Sequence, residues 1–334
     1  MAKFFRAVSL LLTVILILSV ASCGESSKEK ETETKNEAET EASESLTETE
    51  TDKKKETETV VYQKDAELKV MSQNMRTLND ANGNSIEERS KRFKVMIAEK
   101  QPDIIGTQET NQTWTEILKT MTEYVCIGDS REGRGEAKGE RNAVLYRRDR
   151  FKHIRSKTFW LTPTPDVAGK IPESGYRRIC TWAALFDKIT GETLLVVNTH
   201  LDTANNDVRL EQIGYLFKEL DSVIVSLKTV ESVYFTGDFN CSVNTAPYKA
   251  ILEYGFTDAR RATENDISVK SGTQNSYDAE RPGYEIDFCF FIGEKTVVSY
   301  EIISKLYKGE GEEAEGFVSD HYAVMAVFKS SLTG

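Results

Sequence analysis

Two of the three histidines in this 334-residue chain sit inside short, chemically dense clusters: His200 in Val-Asn-Thr-His-Leu-Asp (197–202) and His321 in Ser-Asp-His (319–321). Between them comes Thr-Gly-Asp-Phe-Asn (236–240), and far upstream stand Ser-Gln-Asn (72–74) and Gly-Thr-Gln-Glu (106–109). Each cluster adjoins a hydrophobic run, which is where an α/β fold sets the polar groups of its active site. Histidine transfers protons near neutral pH, and dispersed carboxylates and amides suit a hard cation. That combination points to metal-assisted hydrolysis. His153, the third histidine, follows Phe151 without an acidic residue beside it and reads as structural or exposed.

These side chains need a scaffold of alternating elements. Apolar runs of strand length occupy 68–71, 103–106, 142–146, 181–186, 193–197, 233–235, 286–292 and 322–328. Asp187-Lys-Ile-Thr-Gly191 is a hairpin signal between two of them. Ser85-Ile-Glu-Glu88 reads as a capping box, opening a helix with Phe93, Met96 and Ile97 on one face and ending near Pro102. Trp114, Ile117, Leu118 and Met121 form a second helical stripe, and Leu210, Ile213, Gly214 and Phe217 a third. Hairpins mixed with helical crossovers predict an α/β protein with mixed sheets. No internal repeat is visible in the sequence.

Residues 1–23 read as a signal segment: Lys3 and Arg6 precede a nearly unbroken apolar stretch, and Val-Ala-Ser-Cys (20–23) resembles a bacterial lipobox. Cleavage there would leave Cys23 as a lipid-modified first residue. Residues 24–62, rich in Glu, Thr, Lys and Ser, read as a disordered tether reaching roughly 35 Å. The expected location is therefore outside the cell, with the lipid anchor in the membrane. Residues 63–334 form the candidate catalytic domain, expected to be a monomer with no protein partner implied. Residues 1–62 carry 13 acidic and 8 basic side chains, so the remainder has a net charge of −6 and no basic run that would track nucleic acid. Cys126, Cys180, Cys241 and Cys289 are spaced like neither a zinc site nor a small disulfide framework, and buried free thiols are the simpler reading.

In order along the chain, Gln73-Asn74, Gln108-Glu109, Asn198-Thr-His200, Asp238-Phe-Asn240, Asp287 and Asp320-His321 resemble the endonuclease/exonuclease/phosphatase superfamily from about Leu68 to Phe328. That superfamily includes pancreatic-type deoxyribonucleases, apurinic-site endonucleases, neutral sphingomyelinases and inositol-polyphosphate phosphatases. The resemblance implies a deoxyribonuclease I-like fold, an α/β four-layer sandwich of two packed mixed β-sheets flanked by helices, with the active site at one edge. It implies Glu109 as principal ligand of a divalent ion, magnesium with manganese as the alternative, and Asn74 and Asp320 facing the same ion. Asp238 and Asn240 would flank the attacked phosphorus. His321 would be base or proton relay for the attacking water, with Asp287 bonded to its other ring nitrogen. His200 would stabilise phosphoryl charge, and Glu140 aligns with a carboxylate that supports this histidine. Arg178 would lie near the site as a phosphate ligand, with a sheet-edge salt bridge as the competing reading; Asp202 reads as a loop cap.

The implied activity is hydrolysis of a phosphodiester or phosphomonoester, on nucleic acid, a lipid headgroup or a small molecule. A surface nuclease is one alternative. A non-catalytic ligand-binding lipoprotein is the other, and it would have no reason to retain the complete set. Phe159-Trp160 is the one apolar pair placed like a membrane-inserting element, and it reads as buried. Glu285 stands where an arginine often precedes Ile-Asp, an acid expected to discourage a polyanion.

Overall fold

The computed structural model describes residues 61–330; the expected signal segment, Cys23 and nearly all of the tether lie outside them. Twelve strands fall into two six-stranded sheets. The first has the order β11-β12-β1-β2-β4-β3 and the second β5-β6-β7-β8-β10-β9. In the first sheet the strands are β1 (Leu68–Asn74), β2 (Ile104–Thr110), β3 (Tyr124–Ile127), β4 (Arg141–Arg147), β11 (Lys295–Ile303) and β12 (Ala323–Ser330). In the second they are β5 (Phe151–Trp160), β6 (Ile179–Asp187), β7 (Thr193–His200), β8 (Ser232–Asp238), β9 (Thr257–Asp258) and β10 (Asp287–Ile292). Each sheet has one parallel pair at its centre, β1–β2 and β7–β8, with antiparallel pairs on both sides. Each parallel pair is bridged by a helix, α1 (Ile86–Lys100) and α3 (Asn206–Leu227), as parallel pairing requires.

Side-chain alternation builds the layers. Along the inner strands one residue faces the other sheet and the next faces helices. Val70, Ile104, Val144, Val196, Tyr234 and Val324 meet between the sheets. Met71, Ile105 and Leu145 point the other way, onto α1 and α2 (Gln112–Lys119), with Phe93, Met96, Trp114 and Leu118. Leu195, Val197, Phe235 and Phe290 pack against α3 and α4 (Ala246–Tyr254) through Ile213, Leu216, Leu220 and Ile251. The result is the expected four-layer sandwich of two mixed sheets.

The local signals of α1 hold: Ser85 accepts from Glu88 N and Glu88 reaches back to the cap, a complete capping box, and the helix stops two residues before Pro102. In α3 the buried face is rotated from the expected stripe. Val208, Gln212, Ile213, Leu216 and Leu220 are buried whereas Gly214 is exposed, because Gln212 turns inward to accept from the Asp202 backbone. Phe159 and Trp160 are buried. His153 is exposed, its ring stacked on Tyr146. The four cysteines from Cys126 onward are free thiols, three of them buried. Among the described residues no helix is long and apolar enough to cross a membrane.

Candidate active site

The register places the polar clusters at one edge of the sandwich. In the first sheet Asn74 ends β1 opposite Gln108 of the parallel β2, so Glu109 emerges beside it. β2 loses register with β4 between Thr107 and Thr110, and Glu109 there takes a left-handed backbone (φ 55°). Such conformations cost about 1–3 kcal/mol and concentrate at functional sites; Arg76 and Asn240 share it. In the second sheet His200 of β7 pairs with Asp238 of β8, which in turn pairs with Asp287 of β10, giving one row across three strands. Asp320 and His321 precede β12, which runs antiparallel to β1 and so starts at the same edge.

Contacts then join the two sheets. His321 Nδ1 lies 2.8 Å from Asp287 Oδ2, an oxygen that also accepts from Thr273 Oγ1 at 2.6 Å. Asn74 Nδ2 donates to Glu109 Oε1 at 3.1 Å and to Asp238 Oδ2 at 3.0 Å. His200 Nε2 is 3.5 Å from the same Asp238 oxygen, and Asn240 N donates to Asp238 Oδ1. Asn240 Nδ2 donates to Leu201 O, which fixes its amide at the rim. Beneath this layer Gln108 Nε2 donates to Asn198 Oδ1 at 2.7 Å, and Asn198 donates to the carbonyls of Thr107 and Ala143. Gly106 makes that floor possible: a Cβ there would lie 2.0 Å from Thr236 Oγ1.

Burial and neighbouring charge set the protonation states. Burial disfavours charge on His321, but Asp287, then Asp238 and Asp320, more than offset this and hold its pKa up at about 10. Asp238 is pushed up to about 7 by burial and by the Asp287 carboxylate. His200 is driven well below its usual range by burial and by the positive Arg178, His321 and Arg131, so it is neutral at pH 7. Burial raises Asp320, and Glu109 adds to the effect. Two buried atoms of the cluster, His200 Nδ1 and Asp287 Oδ1, have no hydrogen-bond partner, a cost native structures concentrate where function needs it.

The residues fit a divalent cation. The Glu109 carboxylate is near enough to disfavour ionisation of Asp320, with Arg76 Nε 3.6 Å from Asp320 as partial compensation. Oxygen donors, two carboxylates and an amide, are what a hard cation takes. Asp238, Asp287 and His321 also present three ligand-type atoms within 4.8 Å of one another. Within this trio the hydrogen bond joins His321 Nδ1 and Asp287 Oδ2, while Asp238 Oδ2 stands 3.9 Å from the same nitrogen, an arrangement suited to handling a proton.

Two expected residues stand differently. Glu140 accepts from Arg131 Nη1 at 2.6 Å, while His200 Nδ1 is unpartnered, so the expected support of His200 by Glu140 is replaced by an ion pair. Glu140 precedes β4 directly, and the loop 128–140 folds back to bring Arg131 to it. Glu285 is not a free acid: Arg260 and Arg261 both pair with it. Arg178 is buried, with Nε 3.3 Å from Asp202 Oδ2 and its guanidinium over Tyr176. Its charge still reaches His200. Asp202 does more than cap its own loop, because it also accepts from Ser174, Gly175 N and Tyr176 N and so holds the segment that carries Arg178. Sequence reading passed over Arg76, Arg131 and Thr273, which lie in loops without a periodic signal.

The Endonuclease/Exonuclease/phosphatase family model matches residues 71–321. No curated protein matches the chain by sequence. An endonuclease/exonuclease/phosphatase family protein from Bacteroides thetaiotaomicron is similar in structure, with 27% identity and a TM-score of 0.74, covering 80% of this chain and 99% of that one. A mannosyl-6-phosphatase from the same species shows 28% identity and a TM-score of 0.72, covering 78% and 99%. D. rerio TDP2, complexed with a single-strand DNA product, shares the fold at 19% identity and a TM-score of 0.55, covering 79% and 99%.

Proposed function

This chain belongs to the endonuclease/exonuclease/phosphatase family, and from that premise we propose that it is a divalent-metal-dependent phosphoesterase. The observation that carries this reading is the buried Asp287–His321 pair set beside Asp238, His200 and the Asn74–Glu109 pair at one sandwich edge. Glu109, Asp320 and Asn74 would hold the cation, magnesium by preference, which supplies charge neutralisation at the phosphoryl oxygens. Asp238 and Asn240 orient water for in-line attack on phosphorus. The new P–O bond forms as the ester P–O bond breaks, and the departing oxygen takes up a proton from solvent to leave as the alcohol. His321 would relay the water's proton through Nε2 while Asp287 holds Nδ1. The surrounding carboxylates alone favour its protonated form, and the positive charge of a bound cation would draw it toward the neutral form that accepts a proton. His200 and Arg178 stabilise the negative charge spread over the phosphoryl oxygens.

A phosphate monoester fits better than a nucleic acid strand. The folded part is mildly acidic, and the mannosyl-6-phosphatase is a relative at 28% identity. The lipobox at Cys23 supports anchoring on the outside of the cell membrane; Cys23→Ala should release the chain from the membrane fraction, and retention there would contradict the anchor. The activity test measures phosphate release by the full chain from p-nitrophenyl phosphate, beside bis(p-nitrophenyl) phosphate and supercoiled plasmid. Monoester turnover that a chelator abolishes supports the reading. Plasmid nicking with an intact monoester would make the protein a nuclease.

A further inference from the structure

A cleft of about 940 Å³ opens beside the reaction centre, between the loop 80–84 and the loop 311–317. It shares a wall with the site. Arg76 Nε lies 3.0 Å from Asp80 Oδ2 in the cleft and 3.6 Å from Asp320 Oδ2 in the centre. Tyr277 OH donates to Asp80 Oδ2 at 2.9 Å, and Ser276 N donates to the Asp320 carbonyl.

The cleft is built rather than incidental. Arg89, fully buried, donates to the carbonyls of Met75, Arg76, Leu78 and Asn84 and so pins the loop that forms one wall. On the other wall Arg92 grips both oxygens of Glu312 and the Phe317 carbonyl. Arg92 lies flat across Gly316, where a Cβ would meet its Cζ at 2.4 Å.

The lining has one chemical character. Asp80, Glu88, Glu312, Glu313 and Glu315 are acceptors, joined by the amides of Asn82 and Asn84. The two basic residues of the lining are committed, Lys91 to Glu87 and Arg92 to Glu312, and Glu313 and Glu315 have no cationic partner among the described residues. A polyanion is repelled here. A neutral group rich in hydroxyls is not: each O–H can donate to a carboxylate, a bond about twice as strong as its neutral counterpart. The rings of Tyr277 and Phe317, 5.9 Å apart and edge to face, offer apolar surface to C–H groups. The volume lies in the range of small-molecule sites, about 300–1,000 Å³.

We propose that this cleft holds the leaving group, and that the leaving group is a polyhydroxylated alcohol of sugar size; the assignment rests on the phosphoesterase reading above. Hydrolysis would then return inorganic phosphate and the free polyol.

The test compares glucose 6-phosphate with p-nitrophenyl phosphate, whose leaving group carries no further hydroxyls, for the full chain and for Glu313→Gln/Glu315→Gln. The ratio of the two kcat/KM values should fall about 10-fold in the double variant, as loss of charge-assisted bonds would give. An unchanged ratio overturns the proposal, and so does a variant whose only change is its divalent-cation dependence, which would make the cleft a cation-binding surface. Saturation-transfer NMR with unphosphorylated glucose reads the cleft independently of turnover. Glucose binding by a wild type inactive on every ester would leave the cleft standing and remove the phosphoesterase reading; turnover of esters without glucose binding or discrimination would do the reverse.

Discussion

The two sheets are built alike and used differently. Each presents four inner strands to the same edge, two ending there and two starting there. In the first sheet these strands deliver Asn74, Glu109, Glu140 and Asp320-His321; in the second, His200, Asp238, Asp287 and Arg178. No repeat is visible in the sequence, yet the strand pattern repeats, with one central parallel pair in each sheet. The chemistry does not repeat. Where the first sheet sets two acids that repel each other, the second sets a carboxylate pair flanked by histidine and arginine. On the proposed function, these equivalent backbone edges would carry a cation-binding half and a proton-handling half, with His321 reaching from the first to Asp287 of the second. Fold supplies the positions, and side-chain identity divides the labour.

That division can be broken at several depths. The largest effects belong to the reacting groups: Glu109→Ala and His321→Ala should each lower kcat/KM at least about 100-fold in a phosphate-release assay, and near-normal turnover in either would remove that residue from the mechanism. Next comes the floor that joins the halves. Gly106→Ala pushes a Cβ into Thr236 and Asn198, so thermal or urea unfolding should show a loss of about 1–3 kcal/mol; an unchanged midpoint would mean the sheets are not held this closely. An effect of comparable size, set apart by its pH dependence, is expected at Asp202. Burial pushes its pKa up, but the donors Ser174, Ala204 N, Gly175 N and Arg178 prevail and hold it at about 2. A lowered carboxylate stabilises the fold above its unfolded pKa of about 3.9, and that contribution is lost as pH falls through the folded value. Asp202→Asn should therefore be destabilised near pH 7, by about 1–3 kcal/mol for donors left poorly satisfied. Its deficit should shrink between about pH 4 and pH 2. A pH-independent deficit would contradict the charge argument.

The sequence exposes the inner strands and hides the outer ones. The eight runs read as strands are β1, β2, β4, β6, β7, β8, β10 and β12, all buried on both faces and therefore continuously apolar. The other four, β3, β5, β9 and β11, are the sheet edges. β5 carries Lys152, Arg155 and Lys157 toward solvent, the charged dressing that keeps an edge from pairing with another chain and also erases its pattern. The candidate site was legible for a related reason, since its residues adjoin strands whose burial fixes their register. Glu140 is the instructive departure. It follows a Gly-rich loop whose path no periodicity fixes, and that loop returns Arg131 to neutralise it. Glu285 is another, its arginine partners lying 24 and 25 residues away in sequence.

The most direct test of the divided edge is turnover against Mg²⁺ concentration for the wild type, Glu109→Gln and His321→Gln. Glu109→Gln should move the midpoint of activation to at least about 10-fold higher Mg²⁺, whereas His321→Gln should lower the plateau and leave the midpoint near the wild-type value. Both variants shifting the same parameter, or wild-type turnover that survives EDTA, would contradict the account.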